Sequence, residues 1–130
     1  MFVLSFARDD VSEVGMSKKI EFLGDSKEVL RRFPDESRVR MGHALHIAQE
    51  GGKTSYAKPM KGLGGSATVI EICDDHDGET YRVMYTVKIG EKVYVLHAFQ
   101  KKAKKGIATP KTEIDIIKIR LKKAKELASK

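Results

Sequence analysis

Thr68-Val69-Ile70-Glu71-Ile72-Cys73, Tyr81-Arg82-Val83-Met84-Tyr85-Thr86-Val87 and Val93-Tyr94-Val95-Leu96-His97-Ala98-Phe99 decide the fold. Each run is short and rich in β-branched and aromatic residues, which marks a strand. The connectors, Asp74 to Thr80 and Lys88 to Lys92, contain glycine and are short enough for hairpins. The three runs therefore predict an antiparallel meander. Upstream, Lys19-Ile20-Glu21-Phe22-Leu23 alternates and predicts a further strand that joins the sheet. Gly24-Asp25-Ser26 then offers a turn and a cap for a helix with Val29, Leu30 and Phe33 on one face. Pro34 stops that helix. Asp35 opens a second one, with Val39, Leu45 and Ala48 on its apolar side and Gly51-Gly52 at its end. The two form a helical hairpin. Residues 53–66 read as a loop rich in Lys and Gly. Beyond the meander comes a basic loop, Gln100 to Gly106. Thr109-Pro110 then starts a last helix whose stripe is Ile114, Ile117, Leu121, Ala124 and Leu127. Strand, two helices, three antiparallel strands and a helix predict an α+β fold.

The chain has 130 residues, a length that suits one domain. With 41% hydrophobic residues it is globular in composition. Residues 1–17 read as an N-terminal extension, peripheral or disordered, with Met16 offering a second start; residues 18–130 read as a single domain. The single Cys73 excludes an internal disulfide framework and predicts a reducing, cytoplasmic setting. No apolar run approaches the ~20 residues of a membrane span. The formal charge of +7 is unevenly placed: residues 1–81 carry −3 and residues 82–130 carry +10. Such asymmetry fits a polyanionic or acidic-protein partner, and equally a solvated Lys-rich helix.

Alternation sorts the strand side chains into faces. Tyr81, Val83, Tyr85 and Val87 oppose Arg82, Met84 and Thr86; Ile70 and Ile72 oppose Val69, Glu71 and Cys73; Tyr94, Leu96 and Ala98 oppose Val95, His97 and Phe99. With the more apolar sets on the helices, Glu71, Arg82, His97 and Lys101 share an open polar face. Such a face can bind a phosphate ester, the cations neutralising charge in its transition state and a carboxylate or imidazole moving a proton. It can equally be a solvated Glu71–Arg82 cross-strand pair worth under ~1 kcal/mol. His43 and His46, three apart on a helix, have no third ligand at matching spacing, so no metal is expected. Gly62-Leu63-Gly64-Gly65 precedes a strand rather than a helix, and no nucleotide cofactor is expected there. Asp74-Asp75-His76-Asp77-Gly78 reads as a hairpin turn rather than a calcium loop.

Several blocks together resemble a known family. They are Lys58-Pro59-Met60-Lys61-Gly62-Leu63, Val69-Ile70-Glu71-Ile72, Tyr81-Arg82-Val83-Met84-Tyr85, Val95-Leu96-His97-Ala98-Phe99-Gln100-Lys101-Lys102 and Thr109-Pro110. In this order and spacing the chain, over about residues 18 to 127, is similar to the phage-derived HigB-like branch of the RelE/ParE toxin superfamily. The resemblance implies a RelE-like fold and the toxin of a type II toxin–antitoxin pair. It implies a metal-independent mRNA endoribonuclease, usually acting in the ribosomal A site, in which the substrate 2′-hydroxyl attacks the adjacent phosphate. It also implies a helix-turn-helix antitoxin as partner. Arg82 falls at the catalytic strand arginine and Lys101 near the basic position after the last strand, while Lys58, Lys61, Lys102, Lys104 and Lys105 supply phosphate contacts. Glu71, with Val69, stands where the RelE type carries lysines but matches what is common in the HigB-like branch, as general base or as the group orienting Arg82; His97 is an acid/base candidate or a packing residue. Alternatives within reach of the same resemblance are a gyrase-inhibiting toxin of the ParE type and a non-catalytic nucleic-acid-binding module.

Overall fold

The computed structural model describes residues 17–60, 63, 69–101 and 109–130. In chain order it has β1 (Lys19–Phe22), α1 (Ser26–Arg31), α2 (Asp35–Gln49), β2 (Ala57–Pro59), β3 (Ile70–His76), β4 (Glu79–Thr86), β5 (Lys92–Lys101) and α3 (Lys111–Ala128). The α+β order is the one the sequence predicts. One five-stranded sheet runs β1-β5-β4-β3-β2. The meander is antiparallel, and β1 joins its β5 edge in parallel, pairing Ile20 with Val93 and Phe22 with Val95.

Local chemistry sets the turns. Asp77 (φ 52°) and Gly78 (φ 80°) close the β3–β4 hairpin, both left-handed as a two-residue turn matched to sheet twist requires. The strands accordingly extend to His76 and Glu79, further than the predicted connector allowed. Gly51, at φ 93°, ends α2: its N–H reaches the Ala48 carbonyl and the Gly52 N–H reaches Ile47. That is a Schellman closure.

Four expectations are corrected. The loop expected at 53–66 contains β2, three residues antiparallel to β3, with Pro59 tolerated because β2 is the sheet edge. Val39 is 38% exposed, because it lies about 120° around the helix from Leu45; the buried face is Met41, Ala44, Leu45 and Ala48. Pro110 takes the cap position of α3 without a side-chain cap bond, and the Thr109 hydroxyl is used elsewhere. The polar sheet face is not open: α3 covers part of it.

The sheet is therefore packed on both sides. Against α1 and α2 lie Ile72, Tyr81, Val83, Tyr85, Val93, Val95 and Ala98, meeting Leu30, Phe33, Met41 and Leu45. Against α3 lie Met84, Tyr94, Leu96 and Phe99, meeting Ile117, Leu121 and Ala124. A bulge explains the departure from strict alternation in β5. Tyr85 pairs with Val95 but Met84 with His97, so Leu96 is the extra residue. Val95 thus shares the helix-hairpin face with Ala98, while Leu96, His97 and Phe99 share the α3 face. No helix among the described residues is long and apolar enough to cross a membrane.

Candidate functional site

Residues facing each other across antiparallel strands share a side of the sheet. Register therefore builds the α3 side in three rows. The first is Lys58–Glu71–Met84–His97, the second Cys73–Arg82–Phe99, and the third Asp75–Thr80–Lys101. Glu71, Arg82, His97 and Lys101 do share a face, as predicted. Met84 is wholly buried under α3, and the polar residues lie where the helix begins.

Arg82 sits at that boundary, 7% exposed. Its Nη1 donates to Glu71 Oε2 at 2.8 Å and to Thr109 Oγ1 at 3.1 Å. The pair is diagonal, since Glu71 stands opposite Met84 and Arg82 opposite Cys73. Its side chains are 9% and 20% exposed, so this is a partly desolvated, charge-assisted contact rather than a solvated one. Hydrogen bonds to charged groups contribute about 1.5–3 kcal/mol, against roughly 0.2–1 kcal/mol for an exposed pair. Thr109, read at the start of the last helix, thus joins the expected Glu71–Arg82 pair on one guanidinium.

His97 is 5% exposed and stacks on Phe99, ring centroids 5.3 Å apart. Its Nε2 lies 2.6 Å from Glu113 Oε1, and Arg120 Nη1 donates to Nδ1 at 3.1 Å. Arg120 also donates to the Leu96 carbonyl and to Asp25 Oδ1, each at 3.1 Å. Asp25, Thr109, Glu113 and Arg120 were missed from sequence. Asp25 read as part of a turn and cap and Thr109 as the start of the last helix, while Glu113 and Arg120 carry no motif that singles them out.

Lys101, half-buried, ends β5 two residues beyond the partner of Arg82, and Lys58 is exposed at the β2 edge opposite Glu71. Lys61, Lys102, Lys104 and Lys105 lie outside the described residues, as does the segment before Ser17. Cys73 is exposed opposite Arg82, and its thiol is pushed up by desolvation. The Arg82 guanidinium opposes that shift, while the carboxylates of Glu71, Asp75 and Asp74 add to it. It is not an activated nucleophile. Tyr81 and Tyr85 face α1 and α2, and burial raises both phenols, Tyr85 to about 12.

A guanidinium whose Nη1 is held by both a carboxylate and a hydroxyl can offer charge to an anion, and the carboxylate beside it can accept a proton. Comparison with protein families matches residues 28–122 to the family described as Phage derived protein Gp49-like (DUF891). No curated protein matches the chain.

Proposed function

The chain belongs to the phage-derived Gp49-like family, and on that premise we propose that it is a toxin of the HigB/RelE type that cuts mRNA. The observation that supports the reading best is the Glu71–Arg82–Thr109 contact on a face shared with Lys101. In the proposed reaction the RNA 2′-oxygen attacks the adjacent phosphorus and its proton passes to Glu71. The bond to the 5′-oxygen breaks, and that oxygen takes up a proton that water carries from Glu71, leaving a 2′,3′-cyclic phosphate and a 5′-hydroxyl. Arg82 stabilises the phosphorane charge, Lys101 and Lys58 hold neighbouring phosphates, and no metal takes part. The ribosomal A site presents the message, and a helix-turn-helix antitoxin neutralises the toxin.

Induction in a bacterial host tests this. Growth arrest should accompany site-specific transcript cleavage with cyclic-phosphate ends, and a 2′-deoxy substitution at the cut site should abolish cutting. Arg82→Ala with Lys101→Ala should restore growth. Intact transcripts with DNA damage would point instead to gyrase as the target.

A further inference from the structure

Both ring nitrogens of His97 are engaged by side chains of α3. A guanidinium has only protons to offer, so the Arg120 contact at 3.1 Å makes Nδ1 an acceptor. The ring proton then sits on Nε2, which donates to Glu113 Oε1 at 2.6 Å. Arg120 is itself tightly seated. Beyond its bonds to Leu96 and Asp25, its guanidinium lies on the backbone of Gly24, where an added Cβ would come 2.3 Å from Cζ. It plugs into the turn between β1 and α1. At the other end of the chain of contacts, Glu113 stands in the first turn of α3, one turn after Thr109, whose hydroxyl accepts from Arg82.

We infer that Arg120 is a positioning residue: it fixes the Nε2–H tautomer of His97, His97 anchors the first turn of α3 through Glu113, and that turn holds Thr109 on the Arg82 guanidinium. His97 thereby acts through its two hydrogen bonds and touches no substrate. Only the catalytic arm of the inference rests on the ribonuclease reading.

Long-range ¹⁵N–¹H spectra of the full chain read the ring directly, with His97→Asn supplying the assignment. The wild type should show a single Nε2–H tautomer. Arg120→Met should give a tautomer mixture and move the Arg82 side-chain Nε resonance in the same sample. Arg120→Lys, which restores one donor, should recover part of both. Gly24→Ala should disturb the tautomer from the opposite side and add nothing to Arg120→Met. Thr109→Val, with α3 otherwise intact, should move Arg82 while leaving His97 as it was. In single-turnover cleavage of mRNA on the ribosome, Arg120→Met should lose about tenfold in rate with Kd for the mRNA-programmed ribosome within about twofold, as expected of misorientation. A wild-type ring carrying its proton on Nδ1, or an Arg82 resonance unmoved when the tautomer is lost, overturns the inference. If the wild type cuts no mRNA on the ribosome, the ribonuclease reading fails, and the two spectroscopic arms decide the positioning by themselves.

Discussion

Removing Glu71 should destabilise the protein more than removing Arg82. The Glu71–Arg82 contact is 2.8 Å long, and its members are unequally buried, the arginine side chain at 9% and the glutamate at 20%. Glu71→Ala takes the carboxylate away from a guanidinium that water barely reaches. Breaking a buried pair this way costs about 3–5 kcal/mol, and the partial exposure of Glu71 brings the expectation down to about 2 kcal/mol. Arg82→Met keeps most of the apolar stem and leaves a carboxylate that can rehydrate, so about 0.5–1 kcal/mol is expected. A double-mutant cycle with Glu71→Ala/Arg82→Met, read by urea denaturation at constant m-value, should give a coupling of about 1.5 kcal/mol or more. A coupling under about 0.5 kcal/mol, with the two single losses equal, would mean a solvated surface pair. The site would then lose its physical basis.

Three further outcomes follow from separate features. Burial raises the Tyr85 phenol from 10 to about 12, so absorbance at 295 nm should show a late phenolate transition that Tyr85→Phe removes. Between those values the folded chain holds a proton that the unfolded chain has lost, so stability falls as pH rises from about 10 to about 12. Gly51→Ala meets no atom within 4 Å, yet the φ of 93° should cost about 1 kcal/mol by thermal denaturation, from backbone strain alone. Lys101→Ala should weaken RNA binding and flatten its log–log salt dependence by roughly 0.7, the share of one phosphate contact on a single strand. An unchanged slope would remove Lys101 from the RNA surface.

The meander was legible because its strands alternate and its turns carry the residues that turns demand, Asp77-Gly78 above all. The Schellman end of α2 was legible in Gly51-Gly52 for the same reason: only glycine takes φ 93° without strain. Other features were hidden for identifiable physical reasons. The β5 bulge alters which side Val95 faces without altering composition, so a strict period of two misplaces it. β2 is three residues long, carries a proline and owes its existence to pairing with β3. Thr109 has a hydroxyl that suits either a helix cap or a tertiary acceptor, and only the position of Arg82 decides between them. Gly24 reads as an ordinary turn glycine until the Arg120 guanidinium is found lying on it.

The arrangement at the start of α3 is more costly than the fold requires. Arg82 meets the positive end of an 18-residue helix there, with the half-buried Lys101 on the same face of the sheet, and like-signed potentials repel. Glu71 offsets part of this, and the first-turn Glu113 is already engaged by His97. Two residues along β4, on the same face, Met84 is fully buried and shows what suffices for packing. A partly buried ion pair can often be replaced by apolar groups of similar volume at no loss of stability. Glu71→Leu with Arg82→Met should accordingly unfold at the same urea concentration as wild type or higher, while RNA cleavage disappears. Retained cleavage in that variant would separate the pair from the chemistry. Lost stability beyond about 2 kcal/mol would make it a structural clasp, since replacement of a pair held for function is expected to be neutral or favourable. A stable, inactive variant would mean that the positive potential is kept for an anion that the folded chain alone does not supply.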